Sequence, residues 1–269
     1  CSCGHASRLA APRHREKGRT LTLNDPSPAP GAPPEPDGAP PVTAVLLDLD
    51  GTITDSAPVI VECFRLALVD LGLEAPGPEE LMALVEPPLN EGFRLCAGLE
   101  GEANARAVAR YREHYRTRMH RAPVYDGVPG LVRRLRADGV PLGLATSKRE
   151  DLAVQILARK GLDGFFTVFS GADPSGRRSA AKADVIRRAV ARLGAAGADT
   201  GRVVHVGDRV HDVVGAHDAG AECIGALWGY ADADELADAD WPAADPAEAA
   251  QLLGSLTRRR AGSADGGRP

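Results

Sequence analysis

Residues 45–56 read VLLDLDGTITDS, and no other stretch narrows the possible folds as far. Val45, Leu46 and Leu47 form a short apolar run of the kind that fills a buried strand in a parallel sheet. Asp48 and Asp50 follow at once, then Gly51 and Thr52. In open α/β sheets, ligands bind just beyond the carboxyl ends of the strands, so this acid pair stands where chemistry is done. Side chains two apart on a strand share a side, and the two carboxylates converge. Charges that close repel unless a cation or a shared proton intervenes. Mg²⁺, typically held by one or two carboxylates plus phosphate oxygens, suits such a pair. Taken alone, the four residues 48–51 read equally well as a turn with an Asp cap.

The rest of the chain supports a sheet. Strand-like runs stand at 141–147 (PLGLATS), 165–171 (FFTVFSG), 202–208 (RVVHVGD) and 221–229 (AECIGALWG), the last of them the final clear strand. Helical stretches separate them, and a closing helix is expected over 246–256. Strands alternating with helices predict an α/β fold with a doubly wound parallel sheet. One interval departs from this rhythm. From Ser56, which can cap a helix, to residue 120 every apolar pattern is helical, and no strand signal appears before Val140. Such a block is too long for an ordinary crossover. It predicts an inserted all-helical domain.

Three further constellations fall at strand ends or helix starts. Thr146, with Ser147 and Lys148, closes the strand LGLAT; a hydroxyl and free amides there suit a phosphate oxygen, although Thr as a helix cap is the plainer reading. Lys182 opens the helix AAKADVIRRAV, where a cation opposes the helix dipole unless it faces an anion. Lys160, Arg177 and Arg178 are competing cations nearby. In VGDRVHD, Asp208 follows a strand and Asp212 lies four residues on, so both share one helical face. Arg209 and His211 are expected to serve structure, and His205 reads as a packed core residue.

DLDGTITDS resembles, almost letter for letter, the first motif of the haloacid dehalogenase-like (HAD) phosphohydrolases. Thr146, Lys182 and the pair Asp208/Asp212 follow in the order of the family's later motifs, and the resemblance spans about residues 42–256. It implies Asp48 as nucleophile forming an aspartyl-phosphate, Asp50 as general acid and base, and Thr146 and Ser147 as phosphate ligands. It implies Lys182 as the charge-neutralising group and Asp48, Asp50, Asp208 and Asp212 around Mg²⁺. It also implies a Rossmann-like core over 42–57 and 126–256 and a helical cap over 58–125 that closes over the site. EPPLNEGF (86–93) and VGDRVHDVVGA are similar to the branch containing phosphoglycolate phosphatases and 5′-nucleotidases. Glu86 stands where that branch has Gly, which would disfavour polyanionic substrates. Phe93 and Arg94 are candidate cap contacts, Phe93 equally a core residue. The expected activity is a Mg²⁺-dependent phosphatase for small phosphomonoesters. The alternatives are a β-phosphoglucomutase-type phosphomutase and a phospho-accepting signalling module without catalysis.

Composition bounds the partners. The net charge of −5 provides no broad basic field, so nucleic acid is not expected. No apolar run approaches about 20 residues, so no membrane span is expected. The five cysteines, Cys1, Cys3, Cys63, Cys96 and Cys223, read as reduced thiols of a cytoplasmic protein, with Cys1, Cys3 and His5 too few for a metal site. Residues 1–41, Arg-containing and then Pro-rich, predict a disordered extension, and 257–269 a disordered tail. The first residue is Cys, which suggests a processed or partial start. A monomer or homodimer acting on a small phosphorylated metabolite is expected.

Overall fold

The computed structural model describes residues 39–85, 88–173 and 181–257. Residues 1–38, Glu86, Arg177, Arg178 and 258–269 lie outside the described residues, so the readings that fell on them carry no structural outcome.

The described residues open with β1 (Ala44–Leu47) and then run through four helices: α1 (Ala57–Asp70), α2 (Pro78–Met82), α3 (Leu89–Ala97) and α4 (Gly101–Arg118). They continue through α5 (Val128–Ala137), β2 (Leu142–Arg149), α6 (Glu150–Lys160), β3 (Val168–Ala172) and α7 (Lys182–Ala195). Then come β4 (Val203–Gly207), α8 (Val210–Asp218), β5 (Glu222–Ala226), β6 (Trp241–Ala243) and α9 (Pro246–Leu256). The six strands form one parallel sheet in the order β3-β2-β1-β4-β5-β6. The chain leaves β1 toward β3, then returns to place β4 on the other flank of β1. This reversal makes the β1/β4 junction the switch point at which α/β sheets form clefts.

Alternation sets what each face of the sheet buries. Val45 and Leu47 of β1 join one apolar cluster, whereas Ala44 and Leu46 join a second against α7 and α8. His205 of β4 pairs in register with Leu46 and is fully buried. Helices α1, α3 and α4 share an aromatic centre. Phe64 of α1 meets Phe93 of α3 at 4.8 Å and Tyr111 of α4 at 4.9 Å between ring centroids. Phe93 is therefore a core residue, and Arg94 pairs with Glu91 at the surface. Cys63, Cys96 and Cys223 are free thiols. Among the described residues, no helix is long and apolar enough to cross a membrane.

Two local expectations change. Ser56 forms no side-chain cap on α1; the amide of Ala57 instead donates to the Tyr230 hydroxyl at 2.8 Å. The run 221–229 is not the last strand, because β6 adds a sixth at the edge of the sheet beside β5.

Candidate active site

Asp48 emerges from β1, its amide bonded to the Val206 carbonyl of β4 at 3.0 Å, so the ends of the two central strands are tied where the acids begin. Asp208 emerges from β4. One carboxylate oxygen from each of Asp48, Asp208 and Asp212 lies within 4.8 Å of the others. Three glycines make room for this crowding. A Cβ on Gly51 would fall 2.1 Å from Asp208 Oδ2, one on Gly229 2.2 Å from Asp208 Cβ, and one on Gly207 2.1 Å from Asp212 Cγ. Gly51 also takes φ +83°, a conformation that glycine adopts without penalty.

Each acid has a distinct set of partners. Asp208 accepts from the Thr52 hydroxyl and the Tyr230 amide, both at 3.0 Å. Asp212 Oδ1 lies 2.7 Å from Lys182 Nζ and 2.8 Å from His205 Nε2, and its Oδ2 accepts the Arg209 amide. Asp48 Oδ1 lies 2.9 Å from the same Lys182 Nζ, yet it receives no well-directed hydrogen bond. Lys182 reaches both acids because its stem passes over Gly215 of α8, where any Cβ would collide with the Lys182 Cβ and Cγ.

These contacts order the charges. Burial raises the Asp48 carboxyl; Lys182 opposes the rise and Asp212 adds to it. Burial and the charges of Asp212 and Asp48 push Asp208 up to about 8. Burial works against the charged form of Asp212 too, but Lys182 and His205 more than offset it and hold this carboxyl low. Lys182 loses charge stability by burial and regains more from Asp212 and Asp48, so it stays an ammonium. Three buried carboxyls with one shared ammonium leave a deficit of positive charge. A divalent cation fits that deficit, and all-oxygen donors suit Mg²⁺.

A second charged pair lies beside the first. Lys148 Nζ donates to Asp50 Oδ2 at 2.6 Å and sits 4.8 Å from the Tyr115 ring centroid of α4. Thr146 is buried, and its Oγ1 accepts the Lys148 amide at 3.2 Å. Asp48, Asp50, Thr146, Ser147, Lys182 and Asp212 all line one cleft of about 850 Å³, whose far wall is α4. Asp208 is fully buried and is not part of the cleft lining, but one of its oxygens lies within 4.8 Å of those of Asp48 and Asp212. Six of the seven residues singled out from sequence thus line the cleft, and Asp208 adjoins two of them. Sequence reading passed over Tyr115 and Tyr230, and it named Lys148 beside Thr146 without seeing its tie to Asp50. It gave His205 only a packing role, whereas the ring also braces Asp212. Of the competing cations, Lys160 donates to the His120 carbonyl instead.

The chain is similar to several known proteins. Tyrosine-protein kinase PtkA of Mycobacterium tuberculosis is 41% identical over 191 residues, which is 71% of this chain and 64% of that protein. Its solved structure has a TM-score of 0.67 at 38% identity, covering 80% of this chain and all of that one. A 5′-nucleotidase of Pseudomonas aeruginosa is 34% identical, over 71% of this chain and 86% of its own length. A phosphoglycolate phosphatase of Yersinia pestis is 31% identical, over 70% and 82%. The chain therefore spans less than two thirds of the kinase relative and most of the phosphatase relatives. The profile described as haloacid dehalogenase-like hydrolase matches residues 45–226, from the strand that delivers Asp48 through the strand after Asp208 and Asp212. With that span matched and the acids gathered at one switch point, the chain belongs to the haloacid dehalogenase-like hydrolase family.

Proposed function

We propose that the chain is a Mg²⁺-dependent phosphatase that hydrolyses phosphomonoesters through an aspartyl-phosphate on Asp48. The observation that carries this reading is the Asp48 carboxylate itself, facing the cleft, with Lys182 at 2.9 Å and Asp208 and Asp212 in reach. In the first step an Asp48 oxygen attacks phosphorus. The bond to the leaving oxygen breaks, and Asp50 supplies the proton that oxygen needs. In the second, Asp50 as carboxylate takes a proton from water, whose oxygen attacks phosphorus while the bond to Asp48 breaks. Lys182 offsets charge on Asp48 and the incoming phosphate, and the Thr146 hydroxyl donates to a phosphate oxygen. Asp48, Asp208 and Asp212, whose carboxylate oxygens are gathered, would hold Mg²⁺, which when bound supplies positive charge against the transferring phosphoryl group; Asp50, implied from sequence as a fourth holder, lies outside that group and its carboxylate pairs with Lys148. The relatives named 5′-nucleotidase and phosphoglycolate phosphatase support small phosphorylated metabolites as substrates.

Phosphate release from p-nitrophenyl phosphate tests the reading. The expected result is release that requires Mg²⁺, stops with EDTA, and is lost in Asp48→Asn. Sustained turnover by Asp48→Asn would refute it. A second reading rests on the 41% match to proteins named tyrosine-protein kinase: the phosphoryl group passes to a tyrosine hydroxyl instead of water. Incubation with ATP labelled at its terminal phosphate separates the two, since label recovered on tyrosine supports transfer and label recovered as free phosphate supports hydrolysis. The same experiment with a sugar phosphate acceptor reports on the phosphomutase alternative.

A further inference from the structure

The cleft holds more positive charge than phosphoryl transfer uses. Its lining cations mostly have partners: Lys148 has Asp50, Lys182 has Asp48 and Asp212, Arg149 has Asp151, and Arg209 has Glu235. Arg112 and Arg116 also line the cleft, and neither forms an ion pair with any described residue. The contrast within α4 is sharp. Of its five arginines, Arg106, Arg110 and Arg118 each pair with a glutamate. The two left over stand one turn apart, the spacing that puts side chains on one helical face.

This face adjoins the reacting groups. Tyr111 and Tyr115, the residues immediately preceding each arginine, stack with ring centroids 5.6 Å apart and planes at 9°, and both line the cleft. Tyr115 in turn lies against Lys148, which holds Asp50. The α4 side of the cleft is therefore lined by two stacked tyrosines and the two arginines that follow them in sequence. The transferring phosphate is already provided for by Lys182 and Thr146. Guanidinium groups bind carboxylates and phosphates through paired, charge-assisted hydrogen bonds.

Building on the phosphatase reading, we propose that Arg112 and Arg116 form a leaving-group subsite for phosphomonoesters whose alcohol carries a second anion, a carboxylate or a second phosphate. The rings of Tyr111 and Tyr115 flank the body between the two anions. Matched substrates test it: phenyl phosphate against 4-carboxyphenyl phosphate, and glucose 6-phosphate against glucose 1,6-bisphosphate. The wild-type protein should favour the member with the extra anion by about tenfold or more in kcat/KM, the size of one or two charged hydrogen bonds. The pair with the larger preference identifies carboxylate or phosphate as the anion. In Arg112→Met/Arg116→Met, with folding checked by circular dichroism, the preference should collapse toward one, and Arg112→Lys/Arg116→Lys should restore part of it. A preference near one in wild type, or one that survives the double Met variant, would overturn the subsite while leaving the phosphatase reading intact. Hydrolysis of none of the four while p-nitrophenyl phosphate is turned over would overturn the subsite alone; hydrolysis of none of the five would overturn both.

Discussion

Asp208 gives the sharpest residue-scale expectation. Its carboxyl is pushed up from an ordinary value near 3.8 to about 8, so the folded protein keeps a proton that the unfolded chain releases. Stability then falls with rising pH wherever the folded state binds more protons. In EDTA the melting temperature should therefore fall as pH rises from about 4 to about 8. Asp48 shifts in the same direction, whereas the stability from the lowered Asp212 is lost only at more acid pH. Asp208→Asn should flatten the fall, and saturating Mg²⁺ should abolish it. A melting temperature independent of pH in EDTA would count against the buried acid cluster. A second expectation concerns Gly229: in Gly229→Ala the new methyl has no room beside Asp208, and Mg²⁺ affinity measured by calorimetry should drop by about tenfold or more. The residues that sequence picked out share a local signature: Asp48 and Asp208 directly follow strands and Lys182 opens a helix, whereas Thr146, expected to close its strand, is followed by three more residues of β2 after a break in register. Lys148, Tyr115 and Tyr230 carry no such signature. Their roles come from partners far along the chain, 98 residues in the case of Lys148 and Asp50.

At the scale of elements, α4 does two jobs. Its buried side closes the aromatic centre against α1 and α3, and its cleft side meets Lys148 through Tyr115. Phe64, fully buried between Phe93 and Tyr111, fixes the first of these. Gly92 lets α3 approach, because a Cβ there would stand 2.9 Å from the Phe64 ring. Phe64→Ala should cost about 3–5 kcal/mol in urea unfolding. Lys148→Met addresses the second job: with Asp50 untethered, kcat should fall about tenfold or more, and by a larger factor than KM changes. An unchanged kcat would reduce Lys148 to a structural contact. The helices of this insert were legible because apolar residues recur at helical spacing and glycines punctuate them. β6 was not: Trp241–Ala243 has three residues with Pro242 at the centre, a composition tolerated only at a sheet edge, which is where it lies. The start of α1 misled for a related reason, since Tyr230 supplies the cap from 173 residues away and no local pattern announces that.

For the whole molecule, the strand order decides everything downstream. Placing β4 against β1 brings acids 160 positions apart in sequence numbering, Asp48 and Asp208, to one point, and inserting four helices between β1 and β2 gives the cleft its far wall. Alternating strands and helices made the parallel sheet legible, and the ordered motifs picked out the residues that the strand order gathers. The shape and charge of the far wall could not be read the same way, because they depend on which helical face turns inward. The most direct measurement is to let the protein turn over p-nitrophenyl phosphate with Mg²⁺, quench in acid, and locate the phosphoryl group by peptide mass spectrometry. The expected result is a labile phosphoryl group on Asp48; its absence from Asp48 during steady turnover, or its presence on another residue alone, would contradict the nucleophilic role on which the mechanism rests.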